Sequence, residues 1–209
     1  MKGIHLVEVQ LESNVEFFNT HARAGCVGLV GGEAFIDKSI RKAQRKVTKD
    51  AGFSKYSHAF LFTGPREDGH LYALESDIEF HKERVQIGVQ ENRVEKYASV
   101  KDYPHVAIMD LELTPAQARA VLGEGLELMH KRTQYSLREL LAVSWSLKNP
   151  FKRQGKNALA QERALFCSAF VQHCYLKVGI DFSPDVETKL TLPEDLAQTK
   201  VAHRLFVRT

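Results

Sequence analysis

The apolar and polar positions divide the chain into a strand-rich first half and a helical second half. The run CVGLVG, Cys26 to Gly31, is apolar throughout and ends at the Gly31-Gly32 break, as a short buried strand does. After it, KSIRKAQRKVTK places Ile40, Ala43 and Val47 at helical spacing, predicting a basic amphipathic helix over Lys38 to Lys49 that runs to about Asp50. Two alternating segments follow, SHAFLFT (Ser57 to Thr63) and HLYALES (His70 to Ser76), separated by GPREDG. A Gly- and Pro-bounded spacer between alternating runs predicts a β-hairpin. Further strands are expected near Arg84 to Val89 and His105 to Leu113.

The period changes at Thr114. Thr114-Pro115 followed by Gln117 forms a capping box with proline in the first turn, and Ala118, Val121, Leu122, Leu126 and Met129 then line one helical face. A second box, Ser136 with Glu139, predicts a helix through about Leu147. The polar, basic stretch NPFKRQGKNALAQE, residues 149–162, reads as a loop bordering a site and not as a domain boundary. In the last helix Cys167, Phe170, Val171, Cys174 and Val178 share a stripe, with Gly179 as terminator. There is no internal repeat, and 209 residues suit one domain, 1–209.

Composition excludes classes more than it selects one. With 44% hydrophobic and 26% charged residues the chain is neither collagen-like, disordered nor membrane-embedded. The opening MKGIHLVEVQLESNVEFF carries Glu8, Glu12 and Glu16, unlike a secretory signal, and no later stretch has transmembrane length; the expected location is cytoplasmic. The net charge of +3 is small. The basic face of the helix 38–49 suits nucleic acid or an anionic surface, with plain solvation as the ordinary alternative. Three cysteines without a CxxC pair suggest neither a disulfide framework nor structural zinc, so each has to be explained singly.

A register that sets Thr63 against His70 puts His58 directly across from Glu75, close enough for the carboxylate to fix the imidazole tautomer and leave the other ring nitrogen for a proton. A slip of one residue would separate them. Cys167 stands near the expected start of the last helix, where free backbone N–H groups favour a thiolate and can bind an oxyanion. If its stripe packs on the sheet face that carries His58, sulfur and imidazole meet. Structural roles stay open beside these: core filling for Cys167, a backbone-bonded imidazole for His58. Glu75 shares its strand side with Leu71 and Ala73 and needs a partner there. Cys26 and Cys174 fit core positions, and His173 points off the cysteine stripe, which argues against a metal held by Cys167, His173 and Cys174.

The order of parts, a strand ending in GlyGly, a basic helix, SKYSHAFLF, LYALES, two helices and LFCSAFVQHCY, resembles the permuted papain-like cysteine hydrolases of the YiiX and YaeF kind. These lie in the NlpC-like superfamily that also contains lecithin retinol acyltransferase. The resemblance spans roughly Cys26 to Leu196 and implies an α+β fold with a small antiparallel sheet packed by helices. It makes Cys167 of Phe166-Cys167-Ser168 the nucleophile, His58 of Ser57-His58 the base and Glu75 of Ala73-Leu74-Glu75 the orienting carboxylate. Tyr135 matches a tyrosine beside the nucleophile and becomes an oxyanion candidate, ordinary helix packing being its alternative. Ala169 stands where family members often carry an acidic residue, which bears on substrate preference. The implied chemistry is cofactor-free amide or ester hydrolysis through an acyl-enzyme, on a peptide, peptidoglycan-type amide, isopeptide or lipid ester. Acyl transfer by the same triad and a catalytically silent binding module are the alternatives.

Overall fold

The computed structural model describes residues 3–11, 13–44, 55–81, 84–130 and 158–209. Strand β1 (Ile4–Val9) and helix α1 (Asn14–His21) precede β2 (Val27–Gly31), α2 (Phe35–Gln44), the hairpin of β3 (His58–Pro65) and β4 (Leu71–His81), and β5 (Arg84–Arg93). A 3₁₀ turn (Val94–Tyr97), β6 (His105–Asp110), α3 (Pro115–His130), α4 (Ala158–Leu176), a short α5 (Pro193–Ala197) and β7 (His203–Arg208) complete the α+β chain. The expected helix opened by Ser136 and Glu139, the position of Tyr135, and residues 149–157 of the expected loop lie outside the described residues, as does Val47 of the expected basic helix.

The sheet is larger than expected and is not purely antiparallel. Its seven strands run β1-β7-β6-β2-β3-β4-β5, with β1 parallel to β7 and the other neighbours antiparallel. The strands beyond the sequence expectation are the first and the last, β1 and β7. On β1, Ile4 and Leu6 are both more than half exposed, so its apolar residues do not mark a buried face.

Each face of the sheet carries its own core. Val27, Leu29, Ala59, Leu61 and Leu74 pack against Val121 of α3 and Phe170, Val171 and Cys174 of α4. The alternate positions Val30, Phe60, Phe62 and Ala73 pack against Phe17 and Phe18 of α1 and Tyr97. Central strand β2 is buried on both faces, as its unbroken apolar run implies. Gly28 has no room for a side chain, since a Cβ there would lie 2.3 Å from the Phe60 ring.

The capping box of α3 forms as read: the Gln117 N–H donates to Thr114 Oγ1, and the Thr114 N–H donates to Gln117 Oε1. Its inner face differs by one position. Leu126 is exposed while Gly125 is buried, and a Cβ on Gly125 would meet Leu74 at 2.6 Å, so the helix is set close to the sheet by a glycine. Helix α4 ends in a Schellman motif on Gly179, at φ +75, with Ile180 N–H bonded to Tyr175 O and Gly179 N–H to Leu176 O. No helix among the described residues is long and apolar enough to cross a membrane.

Candidate active site

The hairpin that carries two of the candidate residues is longer than its sequence suggests. Arg66 N–H donates to His70 O and Gly69 N–H to Arg66 O, with Gly69 at φ +77, so the loop is only residues 67–69 and the strands run through Gly64 and Pro65. The pairing is Pro65 with Leu71 and Gly64 with Tyr72, then, after a bulge, Phe62 with Ala73 and Leu61 with Leu74. The expected register, Thr63 against His70, is therefore wrong by two positions beyond the bulge, and Glu75 is a diagonal neighbour of His58 instead of its direct opposite. The bulge decides the outcome. Without the extra residue at Thr63 the slip would be three, and Glu75 would point to the other face.

Both side chains stay on the face of Phe60 and Tyr97, and they touch: His58 Nε2 lies 2.7 Å from Glu75 Oε2. Glu75 is fully buried and its two oxygens accept from four side chains. Oε2 takes His58 and the Tyr97 hydroxyl, while Oε1 takes Asn92 Nδ2 at 2.8 Å and Lys96 Nζ at 2.7 Å. Burial opposes its charge, but the bond from His58 and the His58 and Lys96 cations hold the carboxyl well below the usual carboxylate range. An ionised Oε2 makes Nε2 the donor, which fixes the imidazole against a wall where the Phe60 and Tyr97 rings stack at 5.1 Å. The other nitrogen, Nδ1, is buried and has no hydrogen-bond partner among the described residues.

Cys167 is fully buried, with Sγ 3.7 Å from Ser168 Oγ, and it acts on His58. Burial lowers the imidazole's proton affinity, yet the nearby Cys167, with Glu75 and Asp77 behind it, pushes the His58 pKa up to about 10. The surroundings favour the protonated ring. Two expectations about this cysteine need correction. It is not at a helix start: α4 begins at Ala158, because ALAQERALF is made of good helix formers, and Ala158 to Glu162 belong to helix where a loop was expected. At an interior position the backbone N–H groups are committed to carbonyls four residues back, and the dipole benefit of the first turn has faded. Nor does the stripe pack on the His58 face. Phe170, Val171 and Cys174 lie against Ala59, Leu61 and Leu74 on the opposite face, and Cys167, at the upstream end of the stripe, acts on His58 at the first residue of β3.

No protein-family model matches the chain, and a search of curated proteins returns no match. The site has to be read from its own chemistry.

Ser57 anchors the start of β3: its hydroxyl donates to Asp37 Oδ1 at 2.7 Å and accepts the Gly32 N–H at 3.2 Å, tying the strand to α2 and to the end of β2. Helix α2 is docked by its inner side, with Arg41 buried on Glu33 and Gln44 bonded to Tyr56 O and the Glu194 N–H. Lys38 also pairs with Glu33, so part of the basic face is already neutralised. Cys26 and Cys174 are buried thiols; burial pushes Cys26 up to about 12 and Cys174 higher still. His173 faces away from the stripe toward Glu124, at 2.9 Å.

His58, Glu75 and Asp77 could each offer one ligand atom, all within 4.8 Å of one another. That set does not fit a metal well, because the Lys96 ammonium already bridges the two carboxylates and the Glu75 oxygens are engaged by four donors. Sequence reasoning missed Asp77, Asn92, Lys96 and Tyr97. Asp77 was within reach, since it continues the alternation of Leu71, Ala73 and Glu75 by one more step. Lys96 and Tyr97 sit in a four-residue 3₁₀ turn, which has no periodicity to read.

Proposed function

We propose that this protein is a metal-independent cysteine hydrolase of the permuted papain-like kind, acting on an amide or ester through an acyl-enzyme on Cys167. One arrangement supports it above the others: Glu75 holds the buried His58 ring through Nε2 and leaves Nδ1 without a bond among the described residues, and the buried Cys167 is the neighbour that favours its protonated form. In this reading His58 holds the thiol's proton before substrate arrives. The thiolate attacks the carbonyl carbon and forms a C–S bond, and the imidazolium gives its proton to the leaving amine or alcohol. Neutral His58 then takes a proton from water, whose oxygen attacks the thioester, releasing acid and restoring the thiolate–imidazolium pair. Glu75 keeps the ring oriented and its cation stabilised through both steps.

A catalytically silent binding module is the second reading, favoured by the complete burial of Cys167 and its place inside a helix. A chromogenic ester separates the two. A hydrolase gives a burst of p-nitrophenol equal to the enzyme present, abolished in Cys167→Ala, and iodoacetamide with peptide mapping labels Cys167 ahead of Cys26 and Cys174. His58→Ala then lowers turnover by roughly 10²–10⁴-fold, and a chelator changes nothing. No burst, with Cys167 labelled no faster than Cys174, establishes the silent module.

A further inference from the structure

Glu75 and Asp77 lie two residues apart on one strand, so their carboxylates share a sheet face, and both are buried. Two neighbouring carboxylates in a desolvated site need cations to balance them, and each cation present shares that work with the others. Lys96 supplies one cation. Its Nζ lies 2.7 Å from Glu75 Oε1 and 3.4 Å from Asp77 Oδ2, and 5.2 Å from the centre of the Tyr97 ring, whose hydroxyl donates to Glu75. The ammonium arrives from the turn after β5 and is itself only about a quarter exposed.

We propose that Lys96 is a positioning residue for His58: by bridging Glu75 and Asp77 it offsets one of their charges, so that the imidazole is oriented by Glu75 and holds its proton no more tightly than release requires. The inference rests on the hydrolase reading of the same site. Among the described residues, the titratable and charged groups around the imidazole are Cys167 from α4, Glu75 and Asp77 from β4, and Lys96 and Tyr97 from the 3₁₀ turn. With Lys96 present, the two carboxylates and the Cys167 thiolate of the hydrolase reading face two cations among the described residues, Lys96 and imidazolium. Without it, one positive charge beside the carboxylates is gone, and His58 becomes a more reluctant acid toward a leaving group.

The test is a histidine titration by NMR on the full chain carrying ¹⁵N-histidine, with the His58 signals identified by their loss in His58→Ala. Lys96→Met makes His58 bind its proton about tenfold more tightly, while Lys96→Arg leaves it close to wild type. Adding Asp77→Asn to Lys96→Met removes one charge of each sign and returns the titration toward wild type. A lower unfolding midpoint in Lys96→Met with the His58 titration unmoved overturns the proposal, since Lys96 is then only a structural ion-pair partner. If Lys96→Met does not fold, Asp77→Asn alone carries the test: His58 must bind its proton less tightly, and an unmoved titration again overturns it. Iodoacetamide labelling of Cys167 reads the hydrolase proposal separately. Labelling indifferent to His58→Ala removes that reading, while the NMR titration still scores Lys96.

Discussion

Cys167 and Cys174 sit seven residues apart on one stripe of helix α4, and both are fully buried. Their surroundings have nothing else in common. Around Cys174 are Leu74, Gly125 and Phe170, and burial among them pushes its thiol far up. Around Cys167 the helix leaves the apolar face of the sheet and meets an imidazole backed by two carboxylates and a lysine. On the hydrolase reading, burial alone does not make a cysteine inert; the partner decides. An apolar pocket opposes a thiolate, while a buried cation supplies the charge that a thiolate needs.

The sharpest way to break this comparison is to remove the carboxylate behind the histidine. Glu75→Ala leaves Lys96, Asn92, the Tyr97 hydroxyl and the imidazole facing a void, and loss of one partner from a buried charged network costs about 3–5 kcal/mol. Urea unfolding of the variant reads this directly. A cost near that of an ordinary surface substitution would mean the network is open to water and the contrast between the two thiols is overstated.

A smaller effect is expected from pH. His58 is raised from its ordinary 6.5 to about 10, so its contribution to stability is complete below pH 6.5 and is lost as pH rises through 10. Glu75 is depressed from its ordinary 4.5, so its contribution is complete above pH 4.5 and is lost as pH falls through its folded value. Stability is then highest between about pH 4.5 and 6.5 and declines on the alkaline side, and the decline is shallower in His58→Ala. Thermal unfolding from pH 5 to 10 checks it. A wild-type curve that is flat above pH 6.5 would deny the imidazole its raised pKa.

Much of the frame was legible. The apolar run of β2, the Thr114–Gln117 box and the Gly179 terminator each follow from local rules, and each stands in the structure as read. The His58–Glu75 contact was also legible, but for a reason only half right: alternation places both residues on one face, whereas the register depends on a bulge at Thr63 and a three-residue loop that the turn residues do not announce. Helix α4 was read too short because polar residues such as Gln161 and Glu162 look like loop while being good helix formers. The counter-charges of the site were illegible, since Asn92, Lys96 and Tyr97 reach Glu75 from an edge strand and a single 3₁₀ turn through contacts 17 to 22 residues apart.

The mildest intervention separates the two cysteines with the least disturbance, because Cys174→Ala and Cys167→Ala each delete one sulfur from a buried position. Cys174→Ala leaves a small apolar void beside Leu74 and Gly125 and costs about 1 kcal/mol, evenly over the pH range in which the thiol is neutral in both the folded and the unfolded chain. Cys167→Ala leaves a void of similar size, but it also takes away the neighbour that raises the proton affinity of the imidazole. His58 then titrates lower than in wild type, and the alkaline loss of stability is smaller than in Cys174→Ala. Unfolding midpoints of the two variants at pH 6 and pH 9 are the measurement. Equal pH dependence in both would make Cys167 a second Cys174, a core thiol with a histidine nearby and no hold on its proton.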